Sequence, residues 1–255
     1  MNKGRRNLLI AGGVIGTVYG LRAVPWDRLS GRGLTYVDID GLPPFRTLDT
    51  GGQVSTGSVA FIGLESTEGN PEARRARAEA IKDDLCGALF GANSPPEQIP
   101  IAYFSEFRCP YCRALERDLD EIFAANADSL RLVQHELPIF GPPSELAARA
   151  SVAAARQGLQ QLLRQRFMRT PIVADEALVL TVAAHVGLDT ARLARDMSSP
   201  EVQAELDRTR ALADVFGFIG TPGLVIGRTV LTGAVPASML RRVIADEQSL
   251  APVAC

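Results

Sequence analysis

Cysteine and histidine are scarce in this sequence, and neither sign of charge dominates. Only four cysteines and two histidines occur in 255 residues, and 27 lysines and arginines almost balance 29 aspartates and glutamates. A four-ligand zinc site needs a second Cys-x-x-Cys or a His-x3-His pair, and the sequence has neither. The net charge of −2 also argues against nucleic acid as the partner.

Long apolar runs are rare too, and the one that stands out lies near the N-terminus. Residues 8–21 are uncharged and follow a basic segment with Lys3, Arg5 and Arg6. A helix of this length reaches about 21 Å, short of the roughly 30 Å hydrocarbon core, so a signal sequence is favoured over a stable span. The Arg5–Arg6 pair is similar to a twin-arginine signal. We predict that residues 1–23 are an export signal or, because no strong cleavage site follows, an inner-membrane tether through residues 8–21.

The sequence does contain a Cys-x-x-Cys motif, Cys109 and Cys112, between a predicted strand and a predicted helix. The apolar run 99–107 predicts a strand buried on both faces, and helical periodicity follows the motif. A second strand-like run, 130–140, comes after a short turn, so the three elements predict a parallel βαβ unit. In an exported protein such a pair points to disulfide chemistry rather than to metal.

The rest of the chain divides by composition. An N-terminal extension, residues 24–96, contains short β-like runs and then an amphipathic helix over 71–91. Residues 144–216 are rich in Ala, Leu and Arg and predict three to five helices without a strand. Two short β runs about Gly227 and a closing helix with Pro236 near its first position complete the pattern.

This order of elements resembles the thioredoxin superfamily, and more closely the exported DsbA-like thiol-disulfide oxidoreductases. The resemblance rests on YFSEFRCPYCR around the cysteine pair, on LPIFGPPSELAARA after the second strand, and on GTPGLVIG before the last β runs. It implies an α/β thioredoxin fold over residues 97–250, with a helical domain inserted at about 144–216. It also implies a redox-active centre that needs no organic cofactor and no metal ion.

Cys109 and Cys112 are the candidate catalytic residues. A cysteine just ahead of Pro110, at the first helical position, points its sulfur at unpaired N–H groups and the positive end of the helix dipole, which stabilises a thiolate. We therefore expect Cys109 to be the exposed nucleophile, and Cys112, one turn later, to be more buried and to resolve the mixed disulfide. Arg108 adds a cation beside the nucleophile, and Tyr111 completes the motif.

The Thr221–Pro222 dipeptide also has a role by resemblance. It implies that Pro222 is cis and packs against the active site, and that the backbone of Thr221 pairs with the substrate chain. One position departs from the family pattern, because Tyr103 stands where relatives carry a buried acid for proton transfer. Glu106 and water are the alternatives for that proton.

The remaining cysteines and the histidines lie outside the motif. An even cysteine count in an exported protein favours a structural disulfide between Cys86 and Cys255, with two free thiols as the alternative. His135 and His185 are interpreted as core or surface residues, since the exchange reaction requires no histidine.

The sequence thus predicts a periplasmic oxidoreductase that forms or exchanges disulfides in cysteine-containing exported proteins and works with a membrane redox partner. Two alternatives stay open. A disulfide isomerase or reductase, kept reduced by that partner, is favoured by Tyr111 and by Thr221 before the proline. A copper-binding chaperone of the same fold is the other, because two thiolates suffice for a cuprous ion.

Overall fold

The structure is a computed structural model, and it describes residues 33–49, 71–91, 95–170 and 175–253. The predicted export signal, the β-like run 58–64 and Cys255 lie outside these residues. Every element given below belongs to one compact unit, Tyr36–Cys255.

Six strands of the described residues form one mixed sheet. They are β1 (Tyr36–Asp38), β2 (Arg46–Leu48), β3 (Ile99–Ser105), β4 (Leu130–Glu136), β5 (Gly223–Ile226) and β6 (Thr229–Thr232). Their order across the sheet is β1-β2-β6-β5-β3-β4. Strand β3 is parallel to β4 and antiparallel to β5, so the predicted βαβ unit is confirmed. Strand β3 is also buried on both faces, as its apolar run predicts.

Nine α-helices occur in the described part of the chain. They are α1 (Pro71–Ile81), α2 (Leu85–Phe90), α3 (Pro110–Ala125), α4 (Pro142–Ala155), α5 (Gln160–Arg169), α6 (Glu176–His185), α7 (Thr190–Met197), α8 (Pro200–Val215) and α9 (Ala237–Gln248). Helices α4 to α8 lie between β4 and β5 and form the predicted helical insertion. Three of them, α6, α7 and α8, are capped by a side chain at the N-terminus. The capping residues Asp175, Asp189 and Ser199 each accept a hydrogen bond from a backbone N–H of the first turn.

The N-terminal extension contributes to the sheet and differs from the prediction in one helix. Strand β2 pairs with β6 in parallel, which adds the β1–β2 hairpin to the sheet edge. The single helix predicted over 71–91 is interrupted by a 3-10 turn at Lys82–Asp84. The reason is that Asp84 leaves helical geometry and caps α2 by accepting from the N–H of Gly87 at 3.2 Å. Helix α9 begins at Ala237 with Pro236 at the N-cap position, next to the first helical position, in agreement with the prediction.

The register of β3 and β5 places the two halves of the predicted site together. Phe104 pairs with Gly223 across the antiparallel ladder. Pro222, which directly precedes β5, therefore lies at the end of the sheet where β3 stops and the chain continues into α3. The order of the strands, not proximity in the sequence, brings these segments into contact.

The active-site segment packs directly against the helical insertion. Phe107 and Cys112 belong to one buried apolar cluster with Leu163 and Phe167 of α5. The rings of Phe107 and Phe167 meet edge to face, with centroids 5.3 Å apart. The insertion is thus part of the wall of the site.

Candidate active site

Cys109 is the N-cap residue of α3. Its backbone is extended, and its sulfur accepts a hydrogen bond from the N–H of Cys112 at 3.3 Å. Pro110 follows at the start of the helix, where its lack of an N–H costs no helical hydrogen bond. The sulfur therefore caps the helix at the positive end of its dipole, as the position before Pro110 predicts.

The two thiols differ strongly in acidity. A hydrogen bond from the Cys112 thiol, together with the backbone N–H of Cys112, lowers the pKa of Cys109 to about 6, although burial opposes this. Burial, followed by the hydrogen bond to Cys109, raises the pKa of Cys112 well above its usual value. Cys109 is therefore the more acidic of the two cysteines, and Cys112 is held as a thiol.

The exposure of the nucleophile differs from the prediction. Cys112 is completely buried, as expected, but Cys109 is only 3% exposed. Its Sγ lies 3.4 Å from the carbonyl oxygen of Thr221, to which it can donate only as a thiol, so the segment before β5 covers the sulfur. The flanking residues Arg108, Pro110 and Tyr111 are the exposed ones.

The Thr221–Pro222 peptide bond is cis, as the resemblance implies. Pro222 is buried, and the Thr221 side chain contributes to lowering the pKa of Cys109. Ile219, two residues before Thr221, is 86% exposed, and Tyr111, two residues after Cys109, is 58% exposed. The segments on which Cys109 and Pro222 lie thus each carry an exposed apolar side chain.

Arg108 and Glu106 organise the loop that enters α3. The guanidinium of Arg108 donates to the carbonyl of Phe140 at 3.1 Å. The buried carboxylate of Glu106 accepts from the N–H of Arg108 at 2.8 Å and from the N–H of Ile139 at 3.0 Å. Burial raises the pKa of Glu106. Glu106 thus joins the loop before α3 to the loop after β4.

Tyr103 lies behind the cysteine pair and is fully buried. Its hydroxyl donates to the carbonyl oxygen of Cys112 at 3.1 Å. Burial and the nearby Cys112 raise the pKa of this hydroxyl, so it remains protonated.

A buried ionic cluster, which we call the Arg164 cluster, was not predicted from the sequence. Arg164 of α5 contacts Glu136 at the end of β4, donates to Glu116 of α3 at 3.2 Å, and donates to the hydroxyl of Ser105 at 3.0 Å. Ser151 donates to Glu136 at 2.6 Å. One signal was present, because Glu116 interrupts the apolar stripe of α3 one turn after Cys112. No sequence signal marks Arg164 as buried.

The other predicted polar residues lie away from the pair. His135 is buried, stacks on Phe104 with ring centroids 4.6 Å apart and bonds to the carbonyl of Leu89 at 2.9 Å, so it is a core residue. His185 lies on the exposed surface of α6. Cys86 is disulfide-bonded. Since Cys255 lies outside the described residues, the Cys86–Cys255 bond stays a prediction.

The described residues contain no group of three or more His, Cys, Asp or Glu side chains that could hold a metal ion. In the same part of the chain no helix is both long and apolar enough to cross a bilayer. The segment predicted as a tether, residues 8–21, lies outside it.

A βαβ unit with a cysteine pair at the helix N-terminus and a cis proline opposite defines a thioredoxin fold with a thiol–disulfide site. The model of the DSBA-like thioredoxin domain matches residues 100–245, and the chain therefore belongs to this family. The predicted family and the predicted thioredoxin fold are therefore confirmed.

Solved structures agree with this assignment. A thioredoxin-like oxidoreductase from Silicibacter pomeroyi is 37% identical, with a TM-score of 0.59, over 65% of this chain and 98% of that one. The thiol-disulfide exchange protein α-DsbA2 from Wolbachia pipientis is 18% identical, with a TM-score of 0.57, over 70% and 99%. A periplasmic thioredoxin-like protein from Salmonella enterica serovar Typhimurium is 22% identical, with a TM-score of 0.55, over 65% and 97%. The last two share the fold.

One curated relative is a larger protein. The Na(+)/H(+) antiporter NhaA from Herminiimonas arsenicoxydans is 33% identical over 148 residues, which are 58% of this chain and 24% of that protein. The chain thus spans about a quarter of that relative's length, and the match says nothing about ion transport here.

Proposed function

We propose that the protein is an exported thiol-disulfide oxidoreductase that forms or exchanges disulfides in cysteine-containing periplasmic proteins through Cys109 and Cys112. The observation that carries this proposal is the state of Cys109. Its sulfur accepts from the N–H of Cys112 at 3.3 Å and has a pKa of about 6, while Cys112 is buried as a thiol. A thiolate stabilised in this way reacts with disulfides at neutral pH.

In the oxidising direction, a substrate thiolate attacks the sulfur of Cys109 in the oxidised pair, and Cys112 leaves and takes up a proton. A second substrate thiolate then attacks the substrate sulfur of the mixed disulfide, and Cys109 leaves as a thiolate. Two electrons pass from the substrate to the pair. Because a thiol of low pKa is a good leaving group and its reduced form is stabilised, the acidity of Cys109 favours this direction.

In the reducing direction the same steps run backwards. The thiolate of Cys109 attacks a substrate disulfide, and Cys112 resolves the mixed disulfide. A membrane partner must then return two electrons to the pair for each reduction. In isomerisation a second substrate thiolate, instead of Cys112, attacks the substrate sulfur of the mixed disulfide and Cys109 leaves as a thiolate. In either direction the exposed side chains of Tyr111 and Ile219 are the surface on which a substrate chain would lie.

Export to the periplasm rests on the predicted signal at residues 1–23, and the Salmonella relative of the same fold is itself a periplasmic protein. Fractionation of cells that produce the full chain tests this location. Cytoplasmic recovery of the protein with its N-terminus intact and soluble would contradict export.

The decisive measurement is the reduction potential of the Cys109–Cys112 couple in glutathione buffers, with alkylation and mass spectrometry to assign each cysteine. A potential near about −120 mV would mark an oxidase, and one near about −270 mV a reductase. The Cys109→Ser variant, which should show no couple, is the control. If the wild type has no reversible couple but binds one cuprous ion per pair, the oxidoreductase proposal fails and the copper alternative is supported.

A further inference from the structure

Four exposed arginines lie on the two segments that form the wall of the cysteine site, and the exchange steps above do not use them. Arg108 directly precedes Cys109, and Arg117 lies on α3. Arg166 and Arg169 lie in the last turn of α5. All four residues are exposed. We call these four residues the basic surface.

Two contacts hold the end of α5 against the active-site loop. The guanidinium of Arg113 donates to the carbonyl oxygen of Phe107 at 2.9 Å and to that of Thr170, the residue after α5, at 2.7 Å. The rings of Phe107 and Phe167 meet edge to face at 5.3 Å. The last turn of α5 therefore lies beside the loop that carries Cys109, and the basic surface borders the redox site.

Acids that could neutralise the basic surface are scarce in the same segments. Between residues 107 and 117 and between residues 163 and 170 the only acid is Glu116, which is buried and bonded to Arg164. The next acids of α3, Asp118 and Asp120, lie further from the cysteine pair along the helix. The exposed charges of these two segments are thus all positive.

Exposed arginines elsewhere in the described part of the chain often have an acidic partner, and those of the basic surface do not. Arg156 contacts Glu201 at 3.5 Å, and Arg208 contacts Glu205 at 2.7 Å. No member of the basic surface forms an ion pair with a described residue. Since the whole chain carries a net charge of −2, the basic surface is a local reversal of the protein's charge.

We propose that the basic surface binds acidic residues that flank the reactive cysteine of a substrate protein. The inference rests on the proposed function and names the substrate class of the site as cysteines in acidic segments. Arginine suits this role because the guanidinium stays charged at every physiological pH and matches the geometry of a carboxylate.

The basic surface acts mainly on the encounter between protein and substrate. Exposed ion pairs add little to affinity, but a patch of one sign at a site raises the association rate about 10- to 1000-fold and loses this effect in salt. Arg108 is held for this purpose, because its Nη1 donates to the carbonyl of Phe140 at 3.1 Å. The guanidinium is thereby fixed beside Cys109 and can still donate to a carboxylate through its other nitrogens.

The test compares three peptide disulfides that differ only in charge. Each is the disulfide-linked dimer of a short peptide in which one cysteine is flanked by glutamates, glutamines or lysines. The reduced full-length protein is mixed with each at low ionic strength, quenched in acid at increasing times and examined by mass spectrometry for loss of the reduced pair. Each rate is divided by the rate of the same peptide with dithiothreitol, which corrects for the intrinsic reactivity of the disulfide.

We expect the glutamate peptide to react about 10-fold faster than the lysine peptide, with the glutamine peptide between them. In 1 M salt, where the Debye length is about 3 Å, this preference should fall below about twofold. The double variant Arg166→Gln and Arg169→Gln should reduce the preference at low salt about threefold. Arg166→Lys with Arg169→Lys should keep it, because the charges remain.

A matched control removes the same number of charges elsewhere. Arg75→Gln with Arg195→Gln changes exposed residues of α1 and α7 and should leave the preference at its wild-type value. The proposal is overturned if the glutamate and lysine peptides react equally fast at low ionic strength. It is also overturned if the Arg166→Gln and Arg169→Gln variant keeps the full wild-type preference.

An anionic membrane is the other surface that four arginines could meet. Salt-dependent sedimentation with phosphatidylglycerol vesicles, combined with equal rates for the three peptides, would assign the basic surface to lipid and overturn the proposal. Failure of the wild type to reduce any of the three peptide disulfides would instead refute the proposed function, because that outcome does not depend on charge.

Discussion

Two buried ionic clusters of this protein have opposite charge arrangements. The Arg164 cluster places one cation between two acids behind the cysteine pair. At the other end of β5, Glu247 of α9 lies between two cations. It accepts from Arg46 at 2.8 Å and from Arg228 at 3.0 Å. We call this second group the Glu247 cluster.

The surroundings of the two clusters differ as well. The side chains of Arg46 and Arg228 are 17% and 20% exposed, so each reaches water, whereas the side chain of Arg164 has no exposure at all. The Glu247 cluster has no surplus acid, and the hydroxyl of Thr229 donates to the same carboxylate at 2.7 Å. It joins β2, the β5–β6 turn and α9. The Arg164 cluster thus holds one acid more than its single cation neutralises, whereas the carboxylate of Glu247 is fully bonded and joins three elements.

The turn beside Glu247 shows how closely that joint is packed. Gly227 has a φ of +55°, and a Cβ added to it would lie 2.6 Å from a carboxylate oxygen of Glu247. Only glycine adopts this conformation without strain and leaves the carboxylate its place. This is the physical reason for the Gly227–Arg228 sequence between the two strands.

The largest effect is expected from Arg164→Met. Because this change leaves two buried acids without their cation, the free energy of unfolding should fall by about 3–5 kcal/mol. Urea denaturation of the oxidised protein measures it. Arg192→Met, which removes an exposed ion pair, should cost less than about 1 kcal/mol and serves as the control. Equal losses in the two variants would contradict the difference in burial.

A smaller effect is expected from Glu247→Gln. The amide keeps the shape of the side chain, and the two arginines can turn to water, so we expect a loss of about 1–3 kcal/mol. The reduction potential of the cysteine couple should stay at its wild-type value, since this joint lies away from the site. A shifted potential with unchanged unfolding would overturn the assignment of the two clusters.

The stability of the reduced protein should depend on pH through the titration of Cys109. The pKa of Cys109 is about 6 in the folded state against 9.0 as its ordinary value, so the unfolded chain binds more protons between these limits. The reduced protein should therefore gain stability as the pH rises from about 6 to about 9, and lose it as the pH falls through 6. Melting temperatures of the reduced protein and of Cys109→Ser should diverge by a few degrees over this window. Parallel curves would show that Cys109 is not acidic in the folded state.

The smallest effect is expected from Thr221→Val. The valine keeps the shape of the side chain and removes the hydroxyl that helps to lower the pKa of Cys109. The pH at which Cys109 becomes reactive towards iodoacetamide should move upwards slightly, without a change in unfolding free energy beyond about 1 kcal/mol. A downward movement would mean that the hydroxyl does not stabilise the thiolate.

Much of the fold follows from local patterns in the sequence. The buried run of β3, the periodicity of α3 and the breaks between the helices of the insertion are all encoded by neighbouring residues. The position of Cys109 ahead of Pro110 likewise predicts the helix cap and its acidity. The sequence prediction missed the break in the helix at Asp84. The side chain of Asp84 can cap a new helix only where the backbone leaves helical geometry, and the neighbouring residues do not determine whether it does.

The sequence by itself determined the cysteine pair, its place at a helix N-terminus and the family to which the chain belongs, because these depend on contacts between near neighbours. Only the tertiary structure decided that Cys109 is covered by Thr221, and that Glu116 meets Arg164. Those contacts join residues that are 112 and 48 positions apart. Which distant side chains share a buried site depends on the order of strands and on helix packing, and no local pattern records it.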